Sequence, residues 1–387
     1  MARQKESTIT CNVKQHRLSR GWSQEELAEK ISIRRQAIYD IESGRYLPNT
    51  AIALRLARCF GCRVEDLFVE QAPPTTQPVH IITGESMPAT RLALGRVRDR
   101  LVGIPLKGPE SIPFGLRPAD GLLAQDGKNA QILLSSDRLN KTIILMGCDP
   151  AFEILAQHVS RVSPDARVLC RFASSHRALN GLAEGLTHVA GTHLHNTGKT
   201  ESNVVMASQK LRGASGSVLG FSLLEEGLMV ARDNPLGIRT VADLAQPMVR
   251  FINRETGAAL RVLLDDHLQR AGVDANTIHG YRNEVTSHRE GAYRIACNVA
   301  DAALGLRAIA EVFGLGFVPI TAARCDLVIP GDMKRHPTVK VMMDVLQTRA
   351  LQKEIDALPG YDGSVTGKMI AELTAEPGSV QKPAERV

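Results

Sequence analysis

Arg34, Arg35, Gln36 and Tyr39 lie within a span of six residues and combine two cations, a carboxamide and a phenol. Arginine can donate two parallel hydrogen bonds to guanine, and glutamine can pair in the same two-point way with adenine, so this cluster has the chemistry to read base edges. A second group is defined by position. Asp149, Ser174, Ser175, Thr192, Thr256, Gly257 and Ala258 stand where apolar, strand-like runs give way to helical periodicity, and Arg254 immediately precedes the last of these turns. Free backbone N–H groups, hydroxyls and a cation at helix N-termini hold anions. Asp149 and the serines serve equally as helix caps, and Arg254 as the partner of a carboxylate. The third group is His188, His193 and His195, with His176 upstream. Imidazoles at alternating strand positions share a face and could hold a transition metal, although no acidic or cysteine ligand stands beside them in sequence. His279 and His288 read as surface or lobe-interface residues.

The elements that must present the first group are legible from caps and periodicity. Ser23 followed three residues later by Glu26 is a capping box, and Leu27, Ala28 and Ile31 continue from it as an apolar stripe. Ser32-Ile33 makes a short turn. Ala37, Ile38 and Ile41 then return at helical spacing until Ser43-Gly44, where glycine tolerates left-handed backbone. Two helices crossing steeply through so short a turn need a small residue where their backbones approach, and Ala28 supplies it. With Ile38 and Ile41 turned inward, Arg34, Arg35, Gln36 and Tyr39 are left on the outer face near the helix start, where a recognition helix meets base edges. The stretch from Gln15 to Phe68 reads as a five-helix, all-α module. An all-helical interaction module with a solvated basic face is the alternative.

The order Ser23-Gln24-Glu25-Glu26-Leu27-Ala28, then Arg35-Gln36-Ala37-Ile38, Ile41-Glu42-Ser43-Gly44-Arg45 and Pro48 resembles the lambda-repressor/Cro-like (XRE) family of helix-turn-helix regulators. The resemblance covers about the first 70 residues. It implies that Gln24 touches phosphate at the start of its helix, that Arg34, Arg35, Gln36 and Tyr39 face the major groove, and that Arg45 meets the DNA backbone. Ser32 stands where the family prefers glycine, and Arg34 where it often has a serine cap.

Residues 71–78, with three prolines and no charge, have the composition of a linker. Residues 79–139 read as a small β-rich connecting segment without assignable chemistry, and 375–387 as a disordered tail. Between them, residues 140–374 alternate buried strands with helices: Ile143 to Cys148, Arg167 to Ala173, His188 to Leu194 and Met248 to Asn253 as strands, Ala258 to Ala271 as a helix. This is a parallel α/β order, in which ligands collect at the carboxyl ends of strands. The segments Gly147-Cys148-Asp149-Pro150, Gly191-Thr192-His193-Leu194, Val249-Arg250-Phe251-Ile252-Asn253-Arg254, Ala300-Asp301-Ala302-Ala303-Leu304-Gly305-Leu306 and Gly316-Phe317-Val318-Pro319 resemble the type 2 periplasmic-binding-protein-like, or molybdate-binding-like, domain fused to bacterial helix-turn-helix regulators. That resemblance implies a two-lobed α/β fold with a small ligand, such as the oxyanion molybdate, in the cleft. Where the family commonly shows Gly-Ser-Gly-Thr-Arg, this chain has Gly257-Ala258-Ala259-Leu260-Arg261. Two hydroxyls are lost, which implies another ligand or a weaker hold on molybdate.

A chain of 387 residues with 43% hydrophobic content supports two or three domains. Its net charge of +6 suits DNA, but Glu25, Glu26, Glu29 and Glu42 interleave with the basic residues, so specificity rests on placement. No export signal and no membrane-length apolar run stand out, so a cytoplasmic protein is expected, with no membrane partner. The seven cysteines then read as reduced thiols, and Cys59 and Cys62 as core residues before a metal or redox pair. No hydrolase elbow, HExxH helix or phosphate-binding loop appears, so no catalytic residue and no cofactor are expected. The whole reads as a one-component transcription regulator: double-stranded DNA at one end, a small ligand at the other, and a homodimer to span two half-sites. A transition-metal-responsive regulator using the His188, His193 and His195 region is the alternative, and an enzyme on the same scaffold ranks lower.

Overall fold

The computed structural model describes residues 9–70, 76–82, 87, 90–106, 117–196 and 201–374. The chain divides into two compact units, residues 1–77 with 131–133, and residues 78–130 with 134–387.

In the first unit β1 (Ile9–Cys11) pairs antiparallel with β2 (Phe68–Glu70). Between them in sequence run α1 (Val13–Leu18), α2 (Gln24–Lys30), α3 (Arg35–Glu42), α4 (Thr50–Phe60) and α5 (Val64–Leu67). The capping box forms: Ser23 Oγ accepts the Glu26 N–H at 3.1 Å, and the Glu26 carboxylate accepts the Ser23 N–H at 2.6 Å. Leu27, Ala28, Ile38, Ile41, Leu56 and Phe60 make the core, with Cys59 and Cys62 packed against it. Ser32, in the turn between α2 and α3, has φ of +56°. Left-handed backbone costs a residue with a β-carbon roughly 1–2 kcal/mol, and glycine's greater freedom in the unfolded chain offsets about 0.5–1 kcal/mol of what its introduction would recover. Ser32→Gly should therefore raise the stability of this unit by about 0.5–1 kcal/mol. A higher urea midpoint would register the gain; an unchanged or lower one would show that the turn stores no strain.

Past β2, at the end of the first unit, comes a correction. Thr76–Pro78 is a strand, β3, so the stretch expected to be a linker is ordered at its end. Proline and threonine without charge mark a spacer by composition, yet the Val79 N–H finds the Lys128 carbonyl at 2.9 Å and draws the backbone into a sheet. Residues 71–75 and the tail 375–387 lie outside the described residues. Next come β4 (His80–Ile81), β5 (Arg91–Val97), β6 (Arg100–Pro105), β7 (Gly121–Leu123) and β8 (Asn129–Ile132), with β5 between β6 and β7 and β4 beyond β6. Ala93, Val97, Val102 and Ile104 enter the same core as the α/β elements that follow. The β-rich stretch is thus a layer of the C-terminal unit and not only a connection.

After α6 (Ser136–Asn140) the first lobe is built from β9 (Thr142–Gly147), α7 (Phe152–Val162), β10 (Arg167–Phe172), α8 (Ser175–Ala183), β11 (Val189–Thr192) and α9 (Ser202–Leu211). A long strand, β12 (Gly216–Val230), leads into the second lobe: β13 (Phe251–Arg254), α10 (Ala259–Ala271), β14 (Glu284–Val285), α11 (His288–Ala296), β15 (Ala302–Leu306) and α12 (Arg307–Val312). An equally long β16 (Gly316–Pro330) returns, followed by α13 (Pro337–Leu346), α14 (Arg349–Asp356), β17 (Tyr361–Asp362) and β18 (Met369–Leu373). Within the lobes β9 is parallel to β10 and β11, and β13 to β14 and β15. The parallel order expected from the sequence is interrupted at the centre, where β12 and β16 are antiparallel from Gly216 opposite Pro330 to Val230 opposite Gly316. β11 pairs with one end of β16 and β15 with the other end of β12, so this ribbon runs through both lobes. Register shifts at Gly220/Ser222 and Glu226/Gly227 mark its middle. Separate apolar cores fill the lobes. The strand expected over 248–253 starts only at Phe251, and the helix expected from Ala258 starts at Ala259 with Ala258 as its N-cap.

Candidate functional site

On the first unit, the Glu42 side chain is buried at the end of α3. Its carboxylate accepts Arg17 Nε at 2.6 Å, Arg17 Nη2 at 3.0 Å and Gln24 Nε2 at 2.9 Å, while Arg17 Nη1 donates to the Trp22 carbonyl at 2.7 Å. Burial pushes the Glu42 carboxyl up, but the bonds from Arg17 and Gln24 outweigh it and hold the group below the ordinary glutamate value. Gln24, expected at phosphate, is therefore oriented from behind by Glu42. Sequence reading missed Arg17, since a lone arginine in a short helix carries no pattern of its own.

Arg35, Gln36 and Tyr39 are exposed on α3, with Arg34 as its N-cap. Arg35 Nε lies 3.8 Å from Glu25 Oε2, and both side chains remain about two-thirds exposed, at 65% and 64%. Gln36 Nε2 donates to Asp40 Oδ1 at 3.2 Å. Arg45 joins the group by stacking its guanidinium over the Tyr39 ring, 5.4 Å from the centroid. Water-facing cations with weak partners can be transferred to DNA at small cost.

In the second unit most of the expected ligand side chains are occupied by internal partners. Asp149 Oδ1 accepts the Ala151 N–H at 2.9 Å and the Tyr361 hydroxyl at 2.8 Å, and Oδ2 accepts the Ser222 hydroxyl at 2.9 Å. It caps the turn into α7, and burial raises its carboxyl. Ser174 is the N-cap of α8 without a side-chain cap bond, and Ser175 Oγ accepts the His193 N–H at 3.1 Å. Thr192 Oγ1 donates to Asn203 Oδ1 at 3.1 Å, and Thr256 Oγ1 to Glu284 Oε1 at 3.2 Å. Gly257, at φ of +85°, forms the turn before α10. Arg254 is buried against the Glu255 carboxylate at 2.9 and 3.1 Å and against His288 Nδ1 at 3.2 Å, with its guanidinium 5.6 Å from the Phe172 ring centroid. Phe172 also meets the His288 ring edge-on at 5.9 Å, so the lobes touch here.

The histidines separate. His188 Nδ1 accepts the Ile144 N–H at 3.0 Å, which makes Nε2 the protonated nitrogen that donates to the Arg96 carbonyl at 3.0 Å. Burial and the neighbouring His336 push it down to about 3, so it is a neutral tie between β9 and β5. Neither ring nitrogen is left for a metal, and the expected grouping of His188 with His193 and His195 is corrected. His193 and His195 do converge, on Glu226 in the middle of β12. His193 Nδ1 lies 3.2 Å from Cys148 Sγ, and its Nε2 lies 3.2 Å from Glu226 Oε1 without an aligned hydrogen bond. Burial opposes its charge, yet Cys148 and Glu226 carry it up to about 9. The acid and the thiol missing beside these histidines in sequence are thus supplied by β12 and by the turn that follows β9. Among the described residues no group of three or more histidine, cysteine or acidic side chains is arranged to hold a metal ion.

A cavity of about 640 Å³ opens where β9 and β10 end. Gly147, Asp149 and Phe172 line it from the first lobe, Ser287, His288 and Arg289 from the start of α11 in the second, and Ile104, Leu106 and Arg117 from the β-rich layer. Of the expected ligand residues it includes Asp149 but not Ser174, Ser175, Thr192, Arg254, Thr256, Gly257 or Ala258.

A helix-turn-helix unit, and a two-lobed α/β domain with a long antiparallel ribbon running through both lobes, define a DNA-binding regulator with a ligand-binding domain. The helix-turn-helix family matches residues 13–67, and the PBP superfamily domain matches residues 156–347. An HTH-type transcriptional regulator of Archaeoglobus fulgidus is 42% identical over 57 residues, covering 15% of this chain and 81% of the relative. A Clostridium pasteurianum protein described as lying in the ferredoxin 2Fe-2S gene 5′ region is 36% identical over 113 residues, 29% of this chain and all of the relative. YvgK of Bacillus subtilis is 27% identical over 230 residues, 59% of this chain and 74% of the relative. The chain belongs to the XRE-type helix-turn-helix transcriptional regulators and carries a PBP superfamily domain. Among the described residues no helix is long and apolar enough to cross a membrane.

Proposed function

We propose that this protein is a cytoplasmic one-component regulator in which a ligand held between the lobes of the C-terminal domain changes how a homodimer sits on its operator. The observation that carries this reading is the exposed face of α3, whose back is locked by Ile38, Ile41 and the Arg17–Glu42 pair while Arg35 and Gln36 stay in water. In this assignment Arg35 and Gln36 read bases, with Arg34 and Tyr39 beside them, and Gln24 and Arg45 hold the DNA backbone. Closure about the β12–β16 ribbon supplies the two-state element that a ligand can bias.

The ligand is an anion in this reading. Molybdate held by the Thr256-Gly257-Ala258 turn is the narrower version, but the hydroxyls of Ser175, Thr192 and Thr256 and the guanidinium of Arg254 all have internal partners that such an ion would have to displace. Cys148, His193 and Glu226 line up as thiol, imidazole and carboxylate, which is the order of a nucleophilic triad. Cys148 is only 4% exposed and does not line the cavity, so a substrate has no approach to the sulfur, and a non-catalytic role is the better reading.

Arg35→Ala should weaken operator binding by about 1–3 kcal/mol, roughly 5- to 150-fold, and random DNA much less. Fluorescence anisotropy on both DNAs measures the difference, with light scattering reporting the mass of the bound species. Equal losses on the two DNAs would remove Arg35 from base reading, and a monomer tight on one half-site would remove the dimer.

A further inference from the structure

We propose that Asp40 is a positioning residue for base reading: its carboxylate fixes the Gln36 amide so that α3 accepts adenine and rejects guanine at the base pair Gln36 meets. This rests on the assignment of Gln36 to base reading.

The geometry lies on one face of α3. Gln36 and Asp40 stand four residues apart, a spacing that a helix stacks one above the other, and Gln36 Nε2 donates to Asp40 Oδ1 at 3.2 Å. A carboxylate has lone pairs and no hydrogen to give, so the amide edge it faces is the NH₂ edge and Oε1 is turned from it. Gln36 is exposed and Asp40 partly so, and neither belongs to the apolar core of the unit. Asp40 is anchored through its own backbone. Its carbonyl accepts the Arg45 N–H at 3.0 Å, the Tyr46 N–H at 3.2 Å and the Ser43 hydroxyl at 3.1 Å, which closes the turn after α3. Arg35 is paired elsewhere, 3.8 Å from Glu25 on α2.

Counting hydrogens then selects the base. The amide NH₂ carries two, and repulsion between Oε1 and the carboxylate gives Asp40 the one farther from Oε1. The nearer N–H and Oε1 remain as a donor beside an acceptor. In the major groove adenine presents N7 as acceptor and its N6 amino group as donor, which complements that edge, whereas guanine presents two acceptors, N7 and O6. A glutamine free to turn can aim both hydrogens at guanine. Held by Asp40, it has one to give and sets Oε1 against O6. The Asp40 charge acts in the same direction, since it repels guanine's acceptors and attracts adenine's amino group. It repels phosphate as well, so Asp40 gives up affinity for DNA of every sequence while it adds discrimination.

Full-length native protein and the variants Gln36→Ala, Asp40→Ala and Asp40→Asn should each select duplexes from a randomised DNA pool. Anisotropy then compares adenine with guanine at each position of the selected site, and random DNA beside them, with Trp22 fluorescence melting to show that the variants fold. The expected result is that Gln36→Ala erases an adenine preference at one position. At that position Asp40→Ala should lower the adenine-over-guanine ratio about tenfold, and it should bind random DNA about two- to fivefold more tightly. Asp40→Asn keeps an oxygen that can accept from Gln36, so it should restore the ratio to within about threefold of the native value and still show the gain on random DNA. A loosened helix would instead weaken binding to every DNA alike, and that result would count against positioning. Asp40→Ala with the native adenine preference would overturn the proposal and leave Gln36 as a base reader. Loss of a cytosine preference with adenine unaffected would overturn it by making Asp40 itself the acceptor for cytosine N4. If Gln36→Ala changed no position, the base-reading assignment would fall and the proposal with it.

Discussion

Glu42→Ala should cost the helix-turn-helix unit about 3–5 kcal/mol, enough to unfold it in mild urea. The carboxylate is 3% exposed and accepts three hydrogen bonds, so its removal strands the Arg17 guanidinium, itself 8% exposed, and frees Gln24 from the start of α2. Replacing Arg17 and Glu42 together by Met and Leu should recover much of the loss, because the penalty comes from an unpaired buried charge more than from a missing bond. Trp22 is the single tryptophan of the chain and stacks on Phe60, with ring centroids 5.8 Å apart, so its fluorescence follows this unit specifically. The same pair sets an acid limit. A folded-state value depressed below the unfolded one contributes stability above the ordinary carboxylate range and loses it as pH falls through the folded value. The urea midpoint of the Trp22 transition should accordingly drop below about pH 4 in the native chain, and that drop should be smaller in the Met/Leu double variant. A loss under about 1 kcal/mol in Glu42→Ala would show that the pair is solvated in practice.

Asp120→Ala should destabilise the C-terminal unit by about 2–4 kcal/mol. Asp120 receives Arg167 in a two-point bridge, Nη1 to Oδ1 at 2.9 Å and Nη2 to Oδ2 at 2.8 Å, and Oδ2 also accepts the buried Leu94 N–H at 2.8 Å. One side chain thus holds β5 to β10 of the first lobe. Its loss leaves a backbone donor unpaired in a dry site and an arginine without its partner. Asp120→Asn, which keeps one acceptor, should lose about half as much. Melting followed by far-ultraviolet circular dichroism would show the shift, with Trp22 fluorescence as the control for an intact first unit. A variant that melts with the native protein would mean that the β-rich layer contributes nothing to the lobe.

The legible parts of this molecule are those in which cause is local. Ser23 and Glu26 meet within one helical turn, and Ile38 and Ile41 recur at a spacing that only a helix places on one face, so the exposed face of α3 could be read directly. Short apolar runs closed by glycine, such as Ile143 to Gly147, announced buried strands for the same reason. The ribbon of β12 and β16 was not legible. Each strand mixes buried apolar residues with Glu225 and Glu226 or with Thr321 and Arg324, and their pairing joins residues about a hundred positions apart.

What the sequence determined by itself is therefore the helix-turn-helix with its outward-facing Arg34, Arg35, Gln36 and Tyr39 and the alternation of strands and helices after it. Periodicity and caps act over a few residues, and these features need nothing more. Tertiary structure alone decided which distant groups the polar side chains meet. Arg254 is spent on Glu255 and His288, His188 on two backbone groups, and His193 on Cys148 and Glu226, while Arg117, Arg171 and Arg289 arrive together at one cavity from segments more than fifty residues apart. A buried polar group must find a partner wherever the fold supplies one, and sequence spacing does not record which distant strand that is.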